Sequence, residues 1–397
     1  MKTLFILAAG ALQIPSIVTA KKMGLRVIVA DGDPQAPGLA MGDVSYVLDI
    51  ADPEACLDVA RREKIDGVLQ ICCEVSIHVV GFINQMMGLK GIDLPTALRC
   101  TNKEKMRRAF EAGGAPSPFS VGATTLDDTL AIASRRKGSL IFKPSRNSGS
   151  RGVTRVESGR NKDAVTRAFE HALRESRDHS IVVEEFVDGP EFSIEALTWN
   201  GQTQVLTITD KQTTGAPYFV ETGHSQPTSF GLADRTKVES AAIAGIRALG
   251  IDWSASHAEV KLSPHGPFIM EIGARLGGDF ITTELVPRST GIDMVAAAIR
   301  LALGEIPDLT PAHAPQGAAI RYLTPSPGQV VEISGIDAAR GLPGVQRVAV
   351  DVSRGDVVPP ITSSLSRIGY VIAEGKTAAE AVTRAEFARA QIHIVTK

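Results

Sequence analysis

Two carboxylates are predicted to face each other in a hairpin in the second half of the chain. The sequence HAEVKLSPHGPFIMEIG has an apolar, β-favouring run on each side of the turn-forming segment SPHGP. If the hairpin is centred on His265, Glu259 lies opposite Glu271, and facing Cβ atoms are only about 4.5–5.5 Å apart. Carboxylates this close either share a proton or hold a cation between them. Because Mg²⁺ favours one or two carboxylates together with phosphate oxygens, the pair predicts a metal site beside a phosphorylated ligand.

Arg275 follows the second glutamate on the same face of the predicted strand, because side chains alternate with a period of two. Its planar guanidinium is suited to holding a carboxylate or a phosphoryl group. The alternative is a surface network of ion pairs in which Lys261 or Arg275 neutralises Glu259.

A serine- and glycine-rich loop, KPSRNSGSRGV, joins two predicted strands. Small residues let backbone N–H groups approach an anion closely, and Lys143 at the start of the segment could place a charge on a phosphate. The loop is not a Walker A motif, because G-x-x-x-x-G-K-[ST] is absent. Taken alone, such a loop is more often simply mobile.

Two further groups of charged residues are weak signals by themselves. The segment VVEEFVDGPEFS carries Glu184, Glu185 and Glu191 at the end of a predicted strand, and TNKEKMRR carries Lys103 on a predicted helix. In isolation the simplest interpretation is a solvated acidic edge and a solvated lysine.

The elements that must position these residues are predicted to alternate along the chain. In the first hundred residues, buried apolar strands such as TLFILAA and LRVIVAD alternate with helices, which indicates a parallel sheet of βαβ units. The opening run is interpreted as the first buried strand rather than a signal peptide. G-x-G-x-x-G is missing after that strand, so dinucleotide binding is not expected. The segments APSPFS and IPDLTPAHAPQG are predicted linkers.

Composition narrows the classes of function. A chain of 397 residues predicts two or three domains, and a net charge of −2 gives no reason to expect nucleic-acid or membrane binding. No apolar run approaches the roughly 20 residues needed to span a bilayer. The four cysteines lack the spacing of a zinc site and are predicted to be reduced core thiols of a cytoplasmic protein.

Taken in order, these motifs resemble the ATP-grasp superfamily over essentially the whole chain. Within it the resemblance is to the L-amino-acid (dipeptide) ligase branch, and more distantly to biotin carboxylase and carbamoyl phosphate synthetase. The segment NKEKMRRAF resembles the one that carries a phosphate-binding lysine, here Lys103, and IFKPSRNSGSRGV resembles the one with the second, Lys143, and its lid loop. The resemblance implies an α/β chain, α+β in the nucleotide domain. An N-terminal parallel-sheet pre-ATP-grasp domain would span residues 1–100, a two-lobed ATP-binding domain 101–305 with its lid at about 117–187, and a C-terminal α+β lobe 306–397.

The same resemblance implies a role for each motif residue. Arg275, which would stabilise an acyl phosphate, and Lys143 would be catalytic, and Glu259 and Glu271 would hold Mg²⁺, with Mn²⁺ as a possible substitute. Many members have an asparagine ligand two residues after the second glutamate, whereas this chain has Gly273 and therefore one ligand fewer. ATP would contact Lys103, Lys143, Ser148, Gly149, Ser150, Glu184, the backbone of Glu185 and Val187, and Glu191, and the substrate would contact His224, Arg275, Gly277 and Gly278.

The reaction implied is the ATP-dependent joining of a carboxylate to an amine through an acyl phosphate, with release of ADP and phosphate. Amino acids are the expected substrates, as in acid–amino-acid ligases, and a homodimer in the cytoplasm is expected. One alternative is an ATP-grasp carboxylase or formyltransferase that uses bicarbonate or formate. The others are a nucleotide-binding regulator without turnover and a nicotinamide oxidoreductase, which would need the missing glycine fingerprint.

Overall fold

The N-terminal part of the protein is a parallel sheet covered by helices. The computed structural model describes residues 1–147, 149–216 and 218–397. Strand β1 is buried at every position, and the four strands pair in the order β3-β2-β1-β4. The predicted βαβ arrangement is therefore confirmed, including the opening strand. The elements are β1 (Thr3–Leu7), α1 (Ile14–Lys22), β2 (Arg26–Asp31), β3 (Val44–Val47), α2 (Pro53–Glu63), β4 (Gly67–Leu69), α3 (Ile77–Met87) and α4 (Leu94–Thr101).

A small antiparallel sheet, which we call the lid sheet, follows the next helix. Its strands pair in the order β5-β8-β6-β7, and α6 and α7 close a separate core that includes Phe142 and Val165. The serine- and glycine-rich loop connects β6 to β7, as predicted. The elements are α5 (Lys103–Ala112), β5 (Ser120–Ala123), α6 (Leu126–Ser134), β6 (Leu140–Pro144), β7 (Thr154–Val156), α7 (Lys162–Glu175) and β8 (Ile181–Glu185).

The rest of the chain builds one large antiparallel sheet and a smaller one. The central elements are β9 (Glu191–Trp199), β10 (Gln202–Thr213), β11 (Glu221–Gln226), α8 (Leu232–Leu249), β12 (Ser254–Ser263), β13 (Gly266–Gly273), α9 (Val286–Thr290) and α10 (Met294–Ala302). The C-terminal elements are β14 (Gly317–Tyr322), β15 (Gly328–Ser334), α11 (Ile336–Arg340), β16 (Val345–Val350), β17 (Val357–Val358), β18 (Gly369–Gly375), α12 (Ala378–Gln391) and β19 (His393–Thr396).

The large sheet has eight strands in the order β13-β12-β9-β10-β11-β14-β18-β16. It crosses the boundary predicted at residue 306, because β11 pairs directly with β14. Strands β15, β17 and β19 form the smaller sheet.

The two faces of the large sheet differ in chemistry. Helix α8 packs against β12 and β13, and the core between them includes Phe192, Ile246 and Ile272. Because neighbouring residues of a strand point to opposite faces, the residues on either side of Phe192 point away from this core. That opposite face carries the polar residues described below.

In the described part of the chain, no helix has the length and apolar character needed to cross a membrane. All four cysteines are free thiols; Cys56 and Cys100 are buried as predicted, whereas Cys72 and Cys73 are only partly buried.

Candidate active site

The two predicted carboxylates do face each other, and a β-bulge brings them together. Around the two-residue turn, Ser263 pairs with Gly266 and Val260 pairs with Ile269. The register then shifts by one residue, so that Glu259 pairs with Glu271. Without the shift, Glu271 would pair with Ala258 and point to the core face, since a one-residue slip moves a side chain to the other face of a sheet.

The carboxylates belong to a polar patch on the face of the large sheet opposite α8. On β9 the alternating residues Glu191, Ser193 and Glu195 share this face. In the register of β12 with β9 they stand opposite Lys261, Glu259 and His257, in that order.

Each carboxylate of the pair has a buried lysine as its counter-ion. Lys211 Nζ lies 2.8 Å from Glu259 Oε1, and Lys103 Nζ lies 3.2 Å from Glu271 Oε2. The ion-pair alternative predicted Lys261 or Arg275 as the partner of Glu259. Lys261 instead lies 3.9 Å from Glu191, and the lysine beside Glu259 is Lys211. Burial raises the pKa of both carboxyl groups, but Lys211 holds that of Glu259 well below its usual value and Lys103 lowers that of Glu271. Both groups are therefore ionised at neutral pH.

The donor set fits a magnesium ion that is shared with a phosphorylated ligand. Among the described residues, no group of three histidine, cysteine or acidic side chains could hold a metal unaided. The ionised pair of Glu259 and Glu271 supplies hard oxygen ligands and leaves the remaining positions to ligand oxygens, which is the usual arrangement for Mg²⁺.

Two lysines and the lid sheet form the other wall of the cleft above these carboxylates. Lys103 begins α5, where the Asn102 side chain caps the helix by accepting a hydrogen bond from the Lys105 N–H at 2.9 Å. Lys103 Nζ also donates to the Asn147 carbonyl at 2.8 Å. Lys143, on β6, places its Nζ 2.7 Å from Glu184 Oε2. Burial lowers the pKa of Lys143, and Arg107 and Lys103 lower it further against the opposing effect of Glu184.

Glu184 is almost fully buried and is held by two cations. Arg107 donates to both of its carboxylate oxygens, from Nε at 2.9 Å and from Nη2 at 3.2 Å, and Lys143 is the second cation. Burial raises the pKa of the Glu184 carboxyl, but Arg107 and Lys143 outweigh this effect and lower it to about 2. The carboxylate is therefore a fixed negative charge that orients Lys143.

The residues expected to bind nucleotide and metal line a single cleft between the lid sheet and the large sheet. The cleft has a volume of about 210 Å³. Ser148 lies outside the described residues. The predicted residues that line the cleft are Lys103, Lys143, Gly149, Ser150, Glu184, Glu185, Val187, Glu191, Glu259, Glu271 and Arg275.

A second cavity, which we call the substrate pocket, opens from this cleft. It has a volume of about 350 Å³ and shares Lys211, Glu259 and Arg275 with the cleft. His224 and Gly278 line it, as the sequence predicts. The predicted Gly277 is not among its lining residues but lies beside it, where an added Cβ would stand 2.6 Å from His257 Nδ1.

Unpaired polar atoms concentrate around the substrate pocket. In the described part of the chain, eight buried side-chain polar atoms have no hydrogen-bond partner. Three of them, Ser193 Oγ, His224 Nδ1 and Arg275 Nε, belong to residues that line this pocket, and Glu195 Oε2 lies on the same sheet face. Because buried polar groups are normally satisfied, such a cluster sets this region apart from the rest of the described core.

The C-terminal part of the chain contributes a charged residue to this pocket. Arg367 donates to both carboxylate oxygens of Asp279, at 2.6 and 2.7 Å, and its guanidinium lies 3.8 Å from the centre of the Tyr322 ring. His224 Nε2 lies 3.3 Å from the same carboxylate. Asp279 and Phe280 are consecutive residues with positive φ angles of 54° and 61°, a strained conformation typical of functional sites.

Sequence reasoning missed four of the charged residues that shape the site. Asp279 carried a local signal, since it directly follows the two predicted substrate glycines. The others gave none, because their partners lie on elements distant in sequence. The missed residues are Arg107, Lys211, Asp279 and Arg367.

Two families of known proteins match parts of this chain. Residues 137–284 match the family described as ATP-grasp domain, and residues 321–397 match L-amino acid ligase C-terminal domain 2. The solved structure of L-amino acid ligase from Bacillus licheniformis superimposes with a TM-score of 0.85 over 100% of this chain and 99% of that one, at 24% sequence identity. That likeness shows a shared fold.

Among sequence relatives, the uncharacterized protein y4rH of Sinorhizobium fredii is 28% identical over 77% of this chain and 63% of its own length. Carnosine synthase 1 of Gallus gallus is 26% identical over 87% of this chain and 40% of its own length. The chain therefore spans less than two thirds of either relative.

Proposed function

We propose that this chain, which has the ATP-grasp fold and carries an ATP-grasp domain and an L-amino acid ligase C-terminal domain, joins the carboxylate of one small molecule to the amine of another. ATP would be converted to ADP and phosphate, an acyl phosphate would be the intermediate, and amino acids would be the substrates. The reaction type would be that of an acid–amino-acid ligase.

One observation carries the proposal: Arg275 lies where the cleft meets the substrate pocket. It lines both cavities, as do Lys211 and Glu259. A phosphoryl group held over the glutamate pair would therefore adjoin a substrate in the pocket. Transfer of a phosphoryl group depends mainly on such positioning and on neutralisation of charge.

Different residues of the site would bind the different parts of Mg-ATP. Lys103 and Lys143 would bind the phosphates of ATP, and the resemblance assigns Glu184, Glu185, Val187 and Glu191 to the adenosine end. Glu259 and Glu271 would hold Mg²⁺, or Mn²⁺ in its place. The metal would neutralise phosphate charge.

In the first step the substrate carboxylate attacks the γ-phosphorus, and the bond from that phosphorus to the bridging oxygen breaks, which releases ADP. Arg275 would stabilise the charge on the resulting acyl phosphate. In the second step the neutral amine attacks the acyl carbon, the bond from that carbon to the phosphate oxygen breaks, and the proton lost by the amine ends on the released phosphate.

The pocket walls favour a substrate with polar groups. The polar side chains of Ser193, His224 and Arg275 line the pocket, and Gly278 leaves space beside them. We propose that the carboxylate substrate lies against Arg275 and His224, with Gly278 in the pocket wall and Gly277 directly beside the pocket. The proposal also includes a homodimer and a cytoplasmic location. It divides the chain into domains at residues 1–100, 101–305, with the lid at about 117–187, and 306–397.

The test is phosphate release from Mg-ATP across a matrix of paired amino acids and small carboxylic acids, with products identified by mass. We expect release only when a carboxylate and an amine are both present, together with a condensed product. Release that requires bicarbonate or formate would contradict the proposal and support the carboxylase or formyltransferase alternative. ATP binding without turnover across the matrix would support a regulator.

A further inference from the structure

Arg107, on α5, connects three parts of the active site from a buried position. Its side chain is only 6% exposed. Nε and Nη2 bind the two carboxylate oxygens of Glu184 on the lid sheet. Nη1 donates to the Ile269 carbonyl and Nη2 to the Met270 carbonyl, each at 2.8 Å. Lys103 lies one helical turn earlier on α5 and contacts Glu271.

The two carbonyls lie at the bulge that sets the metal pair. The register shift of β13 falls between Ile269 and Glu271, and Met270 is the extra residue. Strand β13 is the edge strand of the large sheet, so its outer carbonyls have no neighbouring strand to bind. Arg107 donates to these outer carbonyls, as a neighbouring strand would. The outer N–H of Ile269 donates to the Pro116 carbonyl at 2.9 Å.

We infer that Arg107 is a positioning residue, which fixes the β13 bulge and thereby holds Glu271 opposite Glu259 in the arrangement a divalent metal needs. Glu184 is the anchor that orients the guanidinium toward the bulge. This inference rests on the proposed function, because it assigns Glu259 and Glu271 to the metal.

The geometry requires a guanidinium in particular. Four N–H bonds of one planar group reach two carboxylate oxygens and two carbonyl oxygens. A lysine carries its donors on a single nitrogen and cannot bridge these four acceptors, although it preserves the charge. Arg107→Lys therefore keeps the positive charge but removes the planar group that reaches all four acceptors, so it tests the geometry apart from the charge.

The experiment compares Arg107→Lys with Arg108→Lys, a change in the adjacent residue of the same helix, whose side chain is 76% exposed and pairs with Glu104. Mn²⁺ binding is measured by electron paramagnetic resonance on protein loaded with a non-hydrolysable ATP analogue. The affinity for the analogue without metal is measured separately. We expect Arg107→Lys to lose about 10- to 100-fold in Mn²⁺ affinity, the range typical for residues that orient metal ligands, and to lose less in metal-free nucleotide affinity. Arg108→Lys should match the wild type in both.

Unchanged Mn²⁺ affinity in a folded Arg107→Lys protein would overturn the inference, and so would equal losses of metal and nucleotide affinity, which would indicate a general disturbance of the cleft. If Arg107→Lys does not fold, Glu184→Gln removes the charged anchor of the same guanidinium. It should lose more Mn²⁺ affinity than metal-free nucleotide affinity, because Glu184 also orients Lys143, and unchanged or merely equal losses would again overturn the inference. A wild-type protein that bound neither Mn²⁺ nor the analogue would contradict the proposed function itself.

Discussion

Arg275 is the residue whose environment is least explained by the protein alone. Burial lowers the pKa of its guanidinium, but Glu74 and the other surrounding acidic groups raise it above the usual value. Nη1 donates to the Leu276 carbonyl at 3.1 Å, whereas the buried Nε has no partner. A partly buried cation with an unused donor, between the glutamate pair and the substrate pocket, is suited to a negative charge that is present only during the reaction.

Replacement of Arg275 by alanine should therefore affect chemistry more than nucleotide binding. We expect ligation to slow by about 10²- to 10³-fold, the usual effect of removing one donor that stabilises developing charge. The ATP affinity should stay within a small factor of the wild-type value. Steady-state kinetics and equilibrium ATP binding measure the two quantities. Arg300→Ala, in a half-exposed pair with Glu305, is the control and should change neither. Undiminished ligation in Arg275→Ala would show that the arginine is structural.

Lys211 shows what the sequence could not predict at this scale. The facing glutamates and Lys143 of the phosphate loop lie in local patterns, and the resemblance to a known family marked Lys103 on its helix. Lys211 is buried among Glu191, Glu221 and Glu259, at 2.7, 3.7 and 2.8 Å. These partners come from three different strands, so the sequence shows only a lysine near the end of a strand. Its role as the counter-ion of Glu259 emerges only when the strands are paired.

At the scale of elements, the start of α5 is coupled to the lid sheet. Asn102 caps the helix with its side-chain oxygen and donates from Nδ2 to Asp178 at 3.2 Å. Asp178 in turn accepts hydrogen bonds from Ser145, Ser176 and Ser180. One cap therefore positions Lys103 and connects it to the segments that flank β6 and β8.

Asn102→Ala should lower stability and weaken ATP binding together. Loss of an N-cap costs about 1 kcal/mol, and the freed helix start also carries Lys103. Asn161→Ala is a matched control, because Asn161 caps α7 in the same way by accepting from the Ala164 N–H at 3.1 Å. We expect both variants to lose similar thermal stability, but only Asn102→Ala to raise the KM for ATP. Equal KM values for ATP would contradict the coupling.

The elements themselves were largely predictable, whereas the detail of the hairpin was not. Apolar runs and turn residues predict β12 and β13, and the facing of Glu259 and Glu271 is confirmed. The expected symmetry about His265 is wrong near the turn, where Leu262 pairs with Pro267. The bulge that restores the pairing depends on an arginine more than 160 residues away in sequence, and no local pattern carries that information.

At the scale of the whole molecule, the substrate pocket is lined in part by the C-terminal part of the chain. The large sheet continues from β11 into β14, and Arg367 reaches back over 88 residues to Asp279. Local sequence patterns predict where the domains lie, but they do not predict the Asp279–Arg367 ion pair that joins two of them. The pair also forms one wall of the substrate pocket, so the attachment of the C-terminal part and the shape of the pocket depend on the same contact.

The Asp279–Arg367 pair should give the protein a pH-dependent part of its stability. Burial raises the pKa of the Asp279 carboxyl, but the hydrogen bonds from Arg367 and His224 hold it well below its usual value. In the unfolded chain the pKa is about 3.9, so the folded protein binds this proton more weakly. The stabilisation is therefore fully present above about pH 5 and is lost as the pH falls through 3.9 toward the folded-state pKa.

We expect Asp279→Asn to destabilise the protein by about 2 kcal/mol at pH 7, the cost of losing a charge-assisted pair, since Asp279 is partly exposed. Thermal unfolding followed from pH 7 to pH 3.5 measures the effect. The difference from the wild type should stay constant down to about pH 5 and then shrink, because the unfolded wild-type chain takes up a proton on Asp279 that the folded protein does not bind. Asp234→Asn, in an exposed pair with Lys237 on α8, should have little effect at any pH. A difference that stayed constant down to pH 3.5 would mean that the charge of Asp279 does not stabilise the attachment of the C-terminal part, and that the contact acts through packing against Tyr322 instead.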